Sequence, residues 1–85
     1  MVAQFKRDVK LCKKRNKDMA KLRDLMQLLI EEKALPREYQ DHPLKNNWKH
    51  YRDSHIEPDW LLIYKIDQGF LYLVRTGTHA DIFGN

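Results

Sequence analysis

Apolar positions change their period partway along the chain. In the first third, Phe5, Val9 and Cys12 recur at i, i+4 and i+7 among lysines and arginines, a narrow apolar stripe on a basic helix. The spacing predicts a helix from about Gln4 to Arg15, ended by Asn16. Asp18 is placed to cap a second helix whose stripe carries Met19, Leu22, Met26, Leu29 and Ile30. So short a connection leaves only an antiparallel helical hairpin, over about residues 4–33. Pro36 forbids further helix, and the polar stretch 34–47, with two prolines and two adjacent asparagines, reads as an ordered connector. From Trp48 the period is two, with Trp48, His50 and Arg52 on one face and Lys49, Tyr51 and Asp53 on the other. Trp60 to Ile66 and Phe70 to Thr76 are aromatic and β-branched runs joined by Asp67, Gln68 and Gly69, a hairpin signal. Helices therefore come in one block and strands in the next, which makes the class α+β. The expected architecture is the helical hairpin packed on one face of an antiparallel sheet of three to four strands, over about residues 48–83, with the other face open to a partner or substrate.

Length and composition narrow the classes. Eighty-five residues make one domain, 1–85, too small for the deep cofactor folds. A hydrophobic fraction of 42% with 33% charged residues is that of a chain able to form a core. The net charge of +4 permits a polyanionic partner without demanding one. Cys12 stands alone, which excludes an intrachain disulfide and a cysteine zinc site and fits a reducing compartment. Lys6, Arg7 and Asp8 interrupt any signal-peptide core, and no apolar run is long enough to span a membrane, so a soluble, cytoplasmic protein is expected.

The candidate chemistry lies in the second half, which holds all four histidines: His42, His50, His55 and His79. Imidazole is the side chain that supplies acid and base near neutral pH with little tuning. Any one of them read alone is an ordinary surface or turn residue; only the set changes that reading. Isolated glycines supply no phosphate loop, and no histidine pair has the i, i+4 spacing of a helical zinc site. Ser54 precedes His55 directly and would point to the opposite sheet face, poor geometry for a nucleophile and its base. His42, His55 and Asp59 are a conceivable two-histidine, one-carboxylate metal set, but their spacing is unspecific and no metal or other cofactor is expected. RNA cleavage needs fewer parts: a base for the 2′-hydroxyl, an acid for the 5′-oxygen, cations for the phosphate and a ring to hold a nucleobase. Arg52, Lys65 and Arg75 are candidate cations on predicted strands, against the plain reading of solvated or ion-paired arginines. Trp60 and Phe83 are candidate stacking rings, against the plain reading of core packing.

Several segments together carry a resemblance. Asp41 His42 Pro43 Leu44, Trp48 with Tyr51 Arg52 Asp53, His55, Glu57 Pro58 Asp59 Trp60, and Arg75 Thr76 Gly77 Thr78 His79 Ala80 Asp81 with Phe83 occur in one order along nearly the whole chain. In these the sequence resembles the bacterial YafQ branch of the RelE toxin superfamily. The resemblance implies the toxin of a type II toxin–antitoxin pair, a ribosome-dependent endoribonuclease that cuts mRNA without metal. It implies His42, His55, Asp59 and His79 for proton transfer and substrate positioning, and Trp60 and Phe83 around the mRNA. His79 is by similarity the general acid, with the base open between His42 and Asp59. The implied partners are a RelB- or DinJ-like antitoxin, mRNA on the 70S ribosome and, for the complex, operator DNA. Two departures stand out. Only Met1, Val2 and Ala3 precede Gln4, so the first strand of the family is expected to be shortened or missing. His50 and Asn46 stand where the family tends to have glycine, with His50 a possible RNA contact. The competing readings are a catalytically inactive domain that binds nucleic acid or antitoxin as a regulator and, more weakly, a small metalloenzyme.

Overall fold

In a computed structural model describing residues 2–84, the basic stripe forms helix α1 (Ala3–Lys14) and the second stripe forms α2 (Met19–Ile30). Asp18 caps α2 as expected, its side chain accepting from the Ala20 amide at 3.1 Å. Phe5, Cys12, Leu22, Leu25 and Leu29 are buried, whereas Ile30 at the end of its stripe is 60% exposed. Among the described residues no strand precedes α1; Met1 lies outside them. No described helix is long and apolar enough to cross a membrane.

Four antiparallel strands lie in the order β1-β2-β3-β4: β1 (His42–Pro43), β2 (Arg52–Glu57), β3 (Trp60–Asp67) and β4 (Phe70–Gly77). The β3–β4 turn is the two residues Gln68 and Gly69, both at positive φ, the backbone a tight hairpin requires. Trp60 to Tyr64 is buried at every position, so β3 has core on both faces. Its even-numbered residues, with Leu73, pack beneath the hairpin. Its odd-numbered residues, Leu61 and Ile63, form a second core with Ile82, covered by Leu44, Trp48, Tyr51 and Phe83. The second sheet face is therefore only partly open: over Leu61 and Ile63 the connector and a short helix α3 (His79–Phe83), absent from the periodicity, cover it. Five residues are too few to declare a period of 3.6; the signal for α3 was its capping box, Thr78 and Asp81 exchanging side-chain and backbone hydrogen bonds at 3.0 Å.

The connector departs most from expectation. Trp48 does not begin a strand: residues 46–48 make a turn of 3-10 helix and extension starts at Arg52. His50 has φ 80° and Asn46 φ 57°, left-handed values that break an extended run. Glycine is favoured at such places because a Cβ is strained there; asparagine tolerates the region better than histidine.

Three carboxylates fasten the layers. Asp8 of α1, 6% exposed, accepts from Arg75 Nε at 2.7 Å and from the Thr76 amide at 3.1 Å, joining α1 to β4. Asp41 of the connector accepts from Arg52 Nε at 2.7 Å, from Ser54 and from Tyr64, whose phenol is pushed up to about 12 by burial and by Asp41. Asp81 pairs with Arg15 at 2.7 Å, tying α3 to the end of α1. Gly77 is needed here, since a Cβ on it would stand 2.9 Å from Asp81 Oδ2.

Two stability outcomes are expected. His50→Gly should raise the thermal midpoint by a few degrees, because removing a left-handed Cβ penalty of ~1–2 kcal/mol outweighs the extra chain entropy of glycine. Hydrogen bonding to Arg15 and the Thr78 amide lowers the Asp81 pKa from 3.8 to about 2. That stabilisation is complete above the unfolded value and fades as pH falls through the folded one. Asp81→Asn should therefore lower stability at pH 7 by ~1 kcal/mol of lost cap and pair, seen as a lower melting temperature, and the gap from the parent should close between pH 4 and pH 2. A pH-independent gap in thermal melts would show that the pair does not contribute.

Candidate active site

Strand register assembles the site. His42 faces Asp53 across the β1–β2 ladder, and Asp53 and His55 are alternate residues of β2, so all three project to the second face beside Ile63 and Leu61. Leu61 of β3 pairs with Gly77 of β4. Two residues back from Leu61 is Asp59, in the Pro58–Asp59 turn; two residues on from Gly77 is His79, the first residue of α3. The register thus brings the turn carboxylate to the imidazole.

Asp59 Oδ1 accepts from the His79 amide at 2.8 Å and lies 2.5 Å from His79 Nδ1. Those bonds, the amide's first, hold the Asp59 carboxyl below its ordinary pKa. With Nδ1 engaged, Nε2 is the nitrogen of His79 left to meet a substrate. The three rings form a row, His42 to His55 with centroids 6.0 Å apart and His55 to His79 5.8 Å apart. Behind the first two lies Asp53, 3% exposed, with Oδ2 3.8 Å from Nε2 of both His42 and His55. Its Oδ1 is buried without a hydrogen-bond partner among the described residues. Burial pushes the Asp53 carboxyl up, and the neighbouring imidazoles oppose that shift. Asp53 was missed in the sequence, although its i, i+2 relation to His55 on a strand was a visible sign.

His42, Asp53 and His55 could also hold a cation, since one ligand atom from each lies within 4.8 Å of the others. His42 Nδ1 donates to the Gln40 carbonyl at 2.8 Å, which leaves Nε2 as its ligating nitrogen. The carboxylate of this set is Asp53, not Asp59 as the sequence suggested.

Other candidates sort differently. Phe83, one turn beyond His79, has its ring 6.5 Å from the imidazole and beside Trp48. Trp60 is fully buried, its indole donating to Thr76 Oγ1 at 3.0 Å, so it offers no face for a base; this corrects the stacking expectation. Arg52 and Arg75, expected to bind phosphate, are ion-paired with Asp41 and Asp8. Lys65 Nζ lies over the rings of Tyr51 and Tyr72. His50 borders a separate small hollow with Lys65, Ile66 and Asp67.

Taken together, the surface presents three imidazoles in a row, one oriented by an exposed carboxylate and two backed by a buried one. Such a set can deliver and remove protons on opposite sides of a group about the size of a phosphate.

Comparison with known proteins agrees with the fold. A family described as the bacterial toxin of type II toxin–antitoxin system, YafQ, matches residues 1–84. The mRNA interferase toxin YafQ of Escherichia coli B/BL21-DE3 is 58% identical over 82 residues, 95% of this chain and 89% of that protein. The crystal structure of YafQ from E. coli BL21(DE3) superposes with a TM-score of 0.95 at 56% identity, over 98% of this chain and 93% of that one. YafQ in the crystal structure of the E. coli DinJ–YafQ complex gives 0.92 at 57% identity, over the same shares. The chain belongs to the YafQ family of bacterial type II toxin–antitoxin toxins.

Proposed function

We propose that this toxin is an mRNA interferase, an endoribonuclease that cleaves mRNA on the ribosome by metal-independent acid–base chemistry and so stops translation in the cytoplasm. A cognate DinJ-like antitoxin neutralises it, and the pair binds operator DNA. The names of the relatives support the activity; the observation that carries the chemistry is the row His42, His55 and His79 with Asp59 on the His79 Nδ1.

Cleavage of an RNA phosphodiester takes two proton transfers. A base removes the 2′-hydroxyl proton, O2′ bonds to phosphorus, the P–O5′ bond breaks, and the departing oxygen takes a proton from an acid. His79 is the acid, delivering from Nε2 while Asp59 holds the ring. Of the two base candidates, Asp59 is the poorer, because its hydrogen bonds from His79 favour the charged form and weaken it as a base. His42 therefore takes the hydroxyl proton at the other end of the row. His55 stands between them, facing the phosphate; the Gln40 carbonyl orients His42 through Nδ1, and the buried Asp53 carboxylate lies beside both rings. Phe83 lines the edge of the site.

A second reading, metal-assisted hydrolysis, is favoured by the His42, Asp53 and His55 ligand set. In that case one ion would activate a water.

Two experiments decide. His79→Ala should lower mRNA cleavage by about 10² to 10⁴ while circular dichroism and melting temperature stay near those of the parent, since the ring is 46% exposed. A folded variant as active as the parent removes His79 from the acid role, and intact mRNA at every concentration of the parent would leave only a binding regulator. Exhaustive dialysis against a chelator should leave the cleavage rate unchanged; loss that returns with added Zn²⁺ would establish the metal reading instead.

A further inference from the structure

The second sheet face carries more aromatic surface than its small core uses. From the His79 end, Phe83 meets Trp48 edge-on with centroids 5.8 Å apart, and Trp48 meets Tyr51 in the same way at 5.6 Å. Lys65 Nζ then sits 5.3 Å from the Tyr51 centroid and 5.1 Å from that of Tyr72, and Phe70 follows Tyr72 at 6.5 Å. The register explains the alignment: Lys65 pairs with Tyr72, and Phe70 lies two residues from Tyr72 on the same face. These six residues form an unbroken line from the acid candidate to the tip of the β3–β4 hairpin. Its inner members are half-buried, but Tyr72 is 41% exposed and Phe70 66%. Neither outer ring belongs to a core, and the two adjacent exposed rings offer apolar faces to a partner.

We propose that this line is a path for single-stranded RNA leaving the cleavage site, with bases stacking on Tyr72 and Phe70 and the phosphate chain passing Lys65. The inference rests on the cleavage reading above and extends it along the strand. Alternation of rings with a fixed cation is the chemistry that grips a single strand without reading its sequence, because every base has a face and every link a charge. Lys65, held between two rings, is ordered before RNA arrives, whereas Arg52 and Arg75 are occupied by carboxylates. The line is also continuous with the proposed site through Phe83.

The test compares the parent with a Phe70→Ser, Tyr72→Ser double variant on mRNA-programmed ribosomes. Cleavage efficiency kcat/KM should fall about tenfold, the change that ~1.4 kcal/mol of lost stacking carries, with the loss in KM and the saturating rate within about twofold. Phe70→Tyr with Tyr72→Phe, which keeps both rings, should restore the parent KM. Lys65→Gln reads the same path through the charge and should raise KM even if the double variant does not fold. An unchanged KM, or a loss confined to the saturating rate, overturns the path. An unchanged KM with weakened binding of a DinJ-like antitoxin overturns it as well and makes the rings an antitoxin surface. A parent that cuts no mRNA defeats the cleavage reading and the path with it; a parent that cuts while the variants cut equally defeats the path alone.

Discussion

Burial of β3 on both faces is the constraint on which the rest of the structure depends. Trp60 to Tyr64 has core above and below, so every side chain in that stretch loses apolar area to solvent if the strand moves. Because side chains alternate, a slip of one residue would exchange the two cores and drive Trp60 toward the smaller one. The register is therefore stiff, and the site inherits its precision from it. Leu61 opposite Gly77 brings Asp59 to His79, and Ile63 opposite Asp53 sets the buried carboxylate behind the histidines. No catalytic candidate needs to find its own place.

Buried carboxylates do the fastening that an 85-residue core cannot do by apolar area alone. Buried Asp8 and part-buried Asp41 have partners whose hydrogen bonds offset the cost of desolvating them, and so hold particular neighbours. They also remove Arg75 and Arg52 from the pool of free cations. Asp53 differs. Among the described residues one of its oxygens has no partner and the other lies 3.8 Å from two imidazoles, an arrangement that leaves polarity unmet beside the site. A stability argument alone does not account for it.

Long periodic stretches were legible because periodicity reports which face is buried. The helical stripe of Leu22 and Leu29 and the β3–β4 hairpin needed nothing more. The histidines were legible as a set, and their segments as a family pattern, because residue type carries the chemistry and order carries the kinship. The segment from Asn46 to Tyr51 was not legible: its alternating residues imitate a strand, while two left-handed residues turn it so that Trp48 and Tyr51 reach the second core. Trp60 failed as a stacking ring for a related reason, since a strand pattern cannot say whether a face is covered.

By itself, then, the sequence determined the α+β class, the helical hairpin, the final strand pair and the four-histidine inventory, all of which follow from local spacing and residue chemistry. The tertiary structure alone decided that Asp53 and not Asp59 backs His42 and His55, that Asp59 serves His79, and that Arg52, Arg75 and Trp60 belong to the framework. The reason is separation along the chain. Asp8 meets Arg75 across 67 residues and Asp59 meets His79 across 20. Such pairings are chosen by strand register and by competition among several carboxylates for few cations, quantities that exist only once the layers have packed.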